Sequence, residues 1–199
     1  MSERRVIAHC VVSIDGYSSG PGGPAHDTWI YEHVMRPATG EYFEGIWRGC
    51  STALLGRRNY LGFHAVWPGI TADPASDPRT RDLGRWLCSV EKGVVSTTLR
   101  EAEATWDSTR VFSDPGNAVA TLKAEPGRDI LVLNSATLIQ SMLAAGLVDD
   151  LRLAIVPVLL GGGLRLLPDG VSGAWNLASS TTLPNGSLGV HYQRRIGQS

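Results

Sequence analysis

Four times along this chain a strand-like apolar run gives way at once to small, hydroxylated or basic side chains. No other feature constrains the fold as much. The changes fall at Ser13-Ile14-Asp15-Gly16, at Gly56-Arg57-Arg58-Asn59-Tyr60, at Ser96-Thr97-Thr98 and at Asn134-Ser135-Ala136-Thr137-Leu138. An open α/β sheet places its ligand in the crevice beyond the carboxyl ends of its strands. Four such junctions, one with two adjacent arginines, point to a phosphate-bearing ligand stretched along the sheet edge.

The rest of the chain fits that architecture. Val6 to Ile14 is nearly continuous Val, Ile, Ala and Cys, which marks a central strand. Gly16 to His26, rich in Ser, Gly and Pro, is expected to be a mobile surface lid without regular structure. A helix is expected from Thr39 to Arg48, with Tyr42, Phe43, Ile46 and Trp47 on its apolar face. A strand follows from Ser51 to Leu55, then a helix from Arg57 to Val66 that Trp67-Pro68-Gly69 breaks. Residues 70–81 read as an excursion and Thr80 to Ser89 as a short helix. Lys92 to Ser96, Ala104-Thr105-Trp106 and Arg110-Val111-Phe112 read as strands or strand ends.

Ser113-Asp114-Pro115 starts a helix that runs to about Ala124. Asp129 to Leu133 is a strand, and Ser135 is expected to cap a helix from Ala136 to Ala145 that Gly146 ends. Leu151 to Leu160 is expected as one long strand. Trp175 to Leu183 and Ser187 to Arg194 alternate around Pro184-Asn185-Gly186, the pattern of an antiparallel hairpin. The fold class is therefore α/β: a mixed sheet of parallel units ending in a C-terminal hairpin, in one domain over residues 1–199.

Composition narrows the partners. The net charge is −1, so there is no bulk electrostatic case for nucleic acid or for an anionic membrane, and any anion site must be local. Three well-separated cysteines, Cys10, Cys50 and Cys88, argue against a disulfide framework and fit a reducing, cytoplasmic setting. The apolar stretch after Met1-Ser2-Glu3-Arg4-Arg5 is too short and too polar for a signal peptide or a spanning helix. The five histidines show no metal-ligand spacing, so no metal is expected.

The chemistry lies at the junctions. Gly56 permits close backbone approach, the helix start after it offers unpaired N–H groups, and Arg57 and Arg58 add fixed charge. Ser96, Thr97 and Thr98 supply hydroxyls able to share one ligand with the arginine pair, and Asn134-Ser135-Ala136 is a further helix start able to receive a phosphate oxygen. Tyr17, Trp29 and Phe43 could stack on a flat heterocycle.

In this order and spacing, these residues resemble the dihydrofolate reductase-like superfamily. The nearest likeness is to the family named after the C-terminal, reductase half of the bacterial riboflavin-biosynthesis deaminase-reductase. The likeness runs from Val6 to Arg194 and rests on Ser-Ile-Asp-Gly (13–16), Leu-Leu-Gly-Arg-Arg-Asn-Tyr (54–60) and Val-Val-Ser-Thr-Thr-Leu (94–99). Gly-Leu-Val-Asp-Asp-Leu (146–151) and Pro-Val-Leu-Leu-Gly-Gly-Gly-Leu-Arg-Leu-Leu (157–167) complete it.

The resemblance implies a three-layer fold with helices on both sheet faces and an NADPH-dependent reductase of a small flat heterocycle, such as a pterin or pyrimidine. It implies that Gly56, Arg57, Arg58 and Asn59 grip the cofactor phosphates. Ser96, Thr97 and Thr98 would hold the 2′-phosphate side with Arg57, and Asn134, Ser135, Ala136, Thr137 and Leu138 would follow the pyrophosphate. Val11 and Ser18 would flank the nicotinamide. Asp15 and Glu44 are the candidate catalytic carboxylates, Asp15 having a turn-pinning role as its alternative.

Members usually carry glycine at the position of Asn134 and threonine at that of Asn59. The zinc deaminase half is absent, since no His-x-Glu and Pro-Cys-x-x-Cys pair occurs. A homodimer is implied, through the strand around Leu151 to Leu160 and the Gly161 loop. Alternatives are a nucleotide- or ligand-binding protein without turnover, a flavin-binding variant, and the 5-amino-6-(5-phosphoribosylamino)uracil reductase of riboflavin biosynthesis.

Overall fold

Side-chain alternation along the first strand accounts for both its unbroken apolar sequence and the layering of the molecule. The computed structural model describes residues 3–23, 26–30, 33, 37–167 and 169–195, and its first strand, β1 (Val6–Ser13), is buried at every position. Val6, Ala8, Cys10 and Val12 enter one core, whereas Ile7 and Val11 enter clusters on the other face. Successive strand residues point to opposite faces, so a strand covered on both sides has no polar position to spare.

The chain continues through β2 (Tyr17–Ser19), α1 (Pro37–Trp47), β3 (Cys50–Gly56), α2 (Arg57–Ala72), α3 (Pro78–Ser89), β4 (Glu91–Val95) and β5 (Thr109–Phe112). After these come α4 (Pro115–Ala124), β6 (Asp129–Leu133), α5 (Ala136–Ala144), β7 (Asp150–Val156), β8 (Leu164–Arg165), β9 (Trp175–Thr182) and β10 (Leu188–Arg194). Eight strands form one sheet in the order β5-β4-β3-β6-β1-β7-β10-β9. Its first six strands are parallel, and β10 and β9 return antiparallel as the expected hairpin.

Leu122 of α4 and Ile139 and Met142 of α5 pack on one sheet face. Ile46 and Trp47 of α1, Tyr60 of α2, and Trp86 and Leu87 of α3 pack on the other. The three expected layers follow from these two faces. No helix among the described residues is long and apolar enough to cross a membrane.

Several local expectations are corrected. Pro68 does not break α2, which continues to Ala72. A helical proline removes one N–H and crowds the carbonyl four residues back. Pro68 is exposed, so water can serve that carbonyl, and Thr71 and Trp67 pack closely on Gly84 of α3 to hold the last turn. The supposed excursion is short because Asp77 caps α3, accepting from Thr80 N–H at 3.0 Å ahead of Pro78.

Ala104 to Trp106 is not a strand. Trp106 N–H donates to Tyr60 Oη at 2.9 Å rather than to a ladder, and β5 occupies the edge of β4 instead. The Gly16–His26 segment, of which Pro24 and Ala25 lie outside the described residues, is not wholly irregular. Its Tyr17–Ser19 pairs antiparallel with β8. Gly163 makes that approach possible, since a Cβ there would overlap the Ser19 carbonyl oxygen. The expected long strand stops at Val156, before Pro157, and lies inside the sheet between β1 and β10. It therefore offers no free strand edge, and the chain beyond it includes Leu159 at 72% exposure.

Helix α1 is seated on the sheet by Tyr42, whose ring covers Gly189 of β10 and whose hydroxyl donates to Leu153 O at 3.2 Å. A Cβ at Gly189 would stand 2.6 Å from Tyr42 Cε2. Gly189→Ala should therefore destabilise the protein by about 1–3 kcal/mol, as overpacking does. Chemical denaturation measures this, and an unchanged midpoint would disprove that seating of α1.

Candidate functional site

The central strand β6 is short, and a notch opens where it stops. β1 pairs with β6 from Val6↔Ile130 to His9↔Leu133, after which Cys10 to Ser13 pair only with β7. On the other side β3 continues to Gly56, still paired with β4. The notch lies between β1 and β3, with Asn134, Ser135 and the first turn of α5 at its base.

Two helices begin at this place, and both lack a side-chain cap. Neither α2 nor α5 has a capping hydrogen bond or an acidic residue in its first turn. By contrast, α3 and α4 are capped by Asp77 and Asp114, each followed by proline. The leading N–H groups of a helix have no partner within it and carry partial positive charge.

Ser135 stands at the expected cap position but does not cap. Its Oγ donates to Leu133 O at 3.2 Å and accepts from Gly56 N–H at 3.1 Å, joining the ends of β6 and β3. Gly56 has an ordinary extended backbone. A Cβ there would meet Leu138 Cβ at 3.8 Å and Ser135 Cβ at 3.9 Å, so a longer side chain would project over the start of α5.

Arg57 and Arg58 are exposed in the first turn of α2. Arg57 follows Gly56, which pairs with Val95 at the end of β4, and its charge adds slightly to the lowering of the Glu103 carboxyl to about 2, an effect due mainly to the hydrogen bond from Arg100. The turn after β4 lies on the same side. Its Ser96 hydroxyl accepts from Thr98 N–H at 3.1 Å and Leu99 N–H at 3.0 Å, which leaves Thr97 and Thr98 as the exposed hydroxyls.

Asn59 reaches the base of the notch, its Nδ2 donating to Asn134 O at 3.0 Å. Ala136 and Leu138 are buried, so only their backbones can serve a ligand, while Thr137 is exposed. Ser18 sits in the β2–β8 ribbon and donates to Leu164 O at 3.0 Å.

The candidate carboxylates have structural partners. Asp15 accepts from Ser13 Oγ at 2.6 Å, Gly161 N–H at 2.8 Å and Leu160 N–H at 3.2 Å. These bonds, led by that from Ser13, lower its pKa. It pins the Ser13–Gly16 turn to the loop after β7 and remains ionised at neutral pH. Glu44 is engaged by Arg48 Nε at 2.6 Å and Arg79 Nη1 at 3.1 Å.

Of the three aromatic residues, Trp29 and Phe43 join Val11, Ile30, Tyr42 and Leu183 in one apolar cluster beside the notch. Tyr17 stands apart, under the Arg165 guanidinium. No sequence motif marks Asp27, a buried carboxylate that accepts from Trp29 Nε1 at 2.9 Å and Gly20 N–H at 2.8 Å. His9 likewise belongs to no motif. It lies buried against Phe43 with Nδ1 3.0 Å from Arg152 O, and burial lowers its pKa from near 6.5 to about 4.

The family described as RibD C-terminal domain matches residues 4–188. The uncharacterised protein YyaP of Bacillus subtilis (strain 168) is 32% identical over 172 residues, which is 85% of this chain and 83% of that protein. Among solved structures, a protein of Shewanella sp. PV-4 whose name places it in riboflavin biosynthesis superposes with a TM-score of 0.73 at 20% identity, covering 96% of this chain and 99% of that one. Dihydrofolate reductase from Enterococcus faecalis, in complex with NADP(H), superposes with a TM-score of 0.60 at 13% identity, covering 96% and 97%. The fold is thus that of dihydrofolate reductase.

The folded chain resists a proton on His9 that the unfolded chain accepts near 6.5, so stability falls as pH drops from 6.5 toward 4, by up to about 3 kcal/mol. His9→Gln should flatten that slope in unfolding measurements across the window, and an unaltered slope would assign the acid sensitivity to other groups. Asp15→Ala should speed amide exchange at Leu160 and Gly161. Unchanged exchange would remove its pinning role.

Proposed function

This chain belongs to the RibD C-terminal domain family, and we propose that it is an oxidoreductase using NADPH to reduce a small flat heterocycle. The observation that carries this reading is the pair of uncapped helix starts on neighbouring strands, α2 after β3 and α5 after β6, with Arg57 and Arg58 in the first turn of α2. Their unpaired N–H groups, unopposed by any acidic side chain in either first turn, fit a diphosphate. Arg57 follows Gly56 where β3 pairs with the end of β4, and with the exposed Thr97 and Thr98 after β4 it fits a further phosphate on the adenosine side. The structural likeness to a dihydrofolate reductase in complex with NADP(H) supports the choice of dinucleotide.

When bound, the dinucleotide supplies the hydride; the chain supplies position. Val11, Trp29, Ile30 and Phe43 offer the flat ring an apolar surface at the β1 side of the notch, with Asp27 beside Trp29. A pterin or pyrimidine with a reducible C=N or C=C bond suits that surface, and 5-amino-6-(5-phosphoribosylamino)uracil is one such ring. The structural commitments of Asp15 and Glu44 favour a second reading, nucleotide binding without turnover. It is distinguished by NADPH binding with no heterocycle-dependent oxidation of NADPH.

NADPH should raise the melting temperature and NADH should raise it much less, since a ligand bound only by the folded state stabilises it. Arg57→Ala should weaken NADPH by about 1–3 kcal/mol and NADH little, as expected for a charge-assisted hydrogen bond. An equal loss for both would reassign Arg57. No thermal shift with either nucleotide would defeat the dinucleotide reading.

A further inference from the structure

One contact in the notch is not accounted for by the helix starts. Asn134 has φ 50°, in the left-handed region that costs most side chains energy and that asparagine tolerates. Its N–H donates to His9 O at 2.9 Å, closing the last rung between β1 and β6. The left-handed turn then takes its carbonyl out of the ladder and toward α2, where Asn59 Nδ2 donates to it at 3.0 Å. The side chain goes the other way, its Oδ1 accepting from Val11 N–H at 3.4 Å. Val11 lies past the end of the β1–β6 pairing, so a side-chain oxygen fills the place of the next strand carbonyl.

This bond spans the notch where a ligand would have to enter. A dinucleotide with its phosphates on the starts of α2 and α5, and its adenosine phosphate toward Arg57 and β4, runs across β3 and β6 in the direction of β1. Its nicotinamide end then reaches Val11, and the Val11 N–H is the donor facing the notch there. Asn134 Oδ1 already occupies that donor. The contact is long and Asn134 is exposed, so opening it costs little, in keeping with a reversible closure.

We propose that Asn134 is a specificity-determining latch: its side chain competes with the nicotinamide end of the dinucleotide for the Val11 N–H, while Asn59 holds its backbone in the left-handed turn. This rests on the dinucleotide reading above. The latch opposes only ligands that extend to β1. A nucleotide occupying the helix starts alone leaves it closed.

The test compares NADP+ with 2′,5′-ADP, which has the adenosine phosphates and no nicotinamide, on the full chain by calorimetric titration. Asn134→Gly keeps the left-handed turn and removes the competing oxygen. It should bind NADP+ about 3–10-fold tighter, the equivalent of one modest hydrogen bond, with 2′,5′-ADP affinity unchanged. The Val11 amide should exchange faster in the ligand-free variant and regain protection with NADP+ but not with 2′,5′-ADP.

Asn59→Ala, which leaves Asn134 in place, should shift NADP+ the same way by a smaller factor, and should add nothing in the Asn134→Gly background. Equal changes for both nucleotides, or weaker NADP+ binding by Asn134→Gly, would overturn the latch while leaving the dinucleotide reading intact. If wild type and both variants bind neither probe, the dinucleotide reading fails and the latch falls with it.

Discussion

The structure depends on where β6 stops, and one hydroxyl ties that point to β3. Ser135 Oγ bonds both the Leu133 carbonyl and the Gly56 N–H, so the ends of two neighbouring central strands are tied by a side chain rather than by another ladder rung. Because that hydroxyl is turned inward, it cannot cap α5. The first N–H groups of the helix therefore face the notch without a side-chain cap among the described residues. A capping serine in the usual orientation would have satisfied one of them and closed the same surface. Strand closure and an open helix start are here two results of one rotamer.

The helix ends at the opposite edge of the sheet are treated differently. Buried Lys92 donates to Leu87 O at 2.9 Å and Val90 O at 2.7 Å, closing the end of α3. Arg4, also buried, donates to Leu122 O at 2.6 Å near the end of α4. Arg194 donates to Gly146 O just past α5. Cations suit the carbonyl ends of helices, and three are used there. At the carboxyl edge the positive ends of α2 and α5 remain uncompensated, with Arg57 and Arg58 added to them. A chain of net charge −1 can thus hold a local anion site, since neither of those two first turns carries an acidic residue.

The junctions were legible in the sequence because each marks a change of period, from a buried strand to a helix start or turn, and such changes are written in consecutive residues. Ser13, Gly56, Ser96 and Asn134 all lie at the strand ends where their neighbours put them. What each side chain does there was less legible. Ser135 and Asp15 have the residue types of ligand-binding groups, yet their partners, Gly56 in one case and Leu160 and Gly161 in the other, are far away in sequence. Local pattern cannot show a bond of that kind. Pro68 failed as a helix breaker for the same reason, because packing of Trp67 and Thr71 on α3 outweighed a local propensity. Trp106 read as part of a strand because aromatic content resembles one, whereas its N–H is claimed by Tyr60.

Asn59 and Asn134 connect these points. Each, taken alone in sequence, is a small change along a phosphate path, and neither removes a donor. In space they touch, Asn59 Nδ2 on Asn134 O, so the two positions act as one unit. Glycine at 134 would have left both the Val11 N–H and the notch open; asparagine keeps the left-handed turn and spends its side chain on that N–H. Because the Asn134 carbonyl has left the ladder, it needs a new donor, and the amide of Asn59 provides one. The second asparagine is thus accounted for by the first. The pair leaves the helix-start N–H groups open and puts a reversible obstacle only at the β1 end of the notch, separating affinity for the phosphates from access to the reacting end.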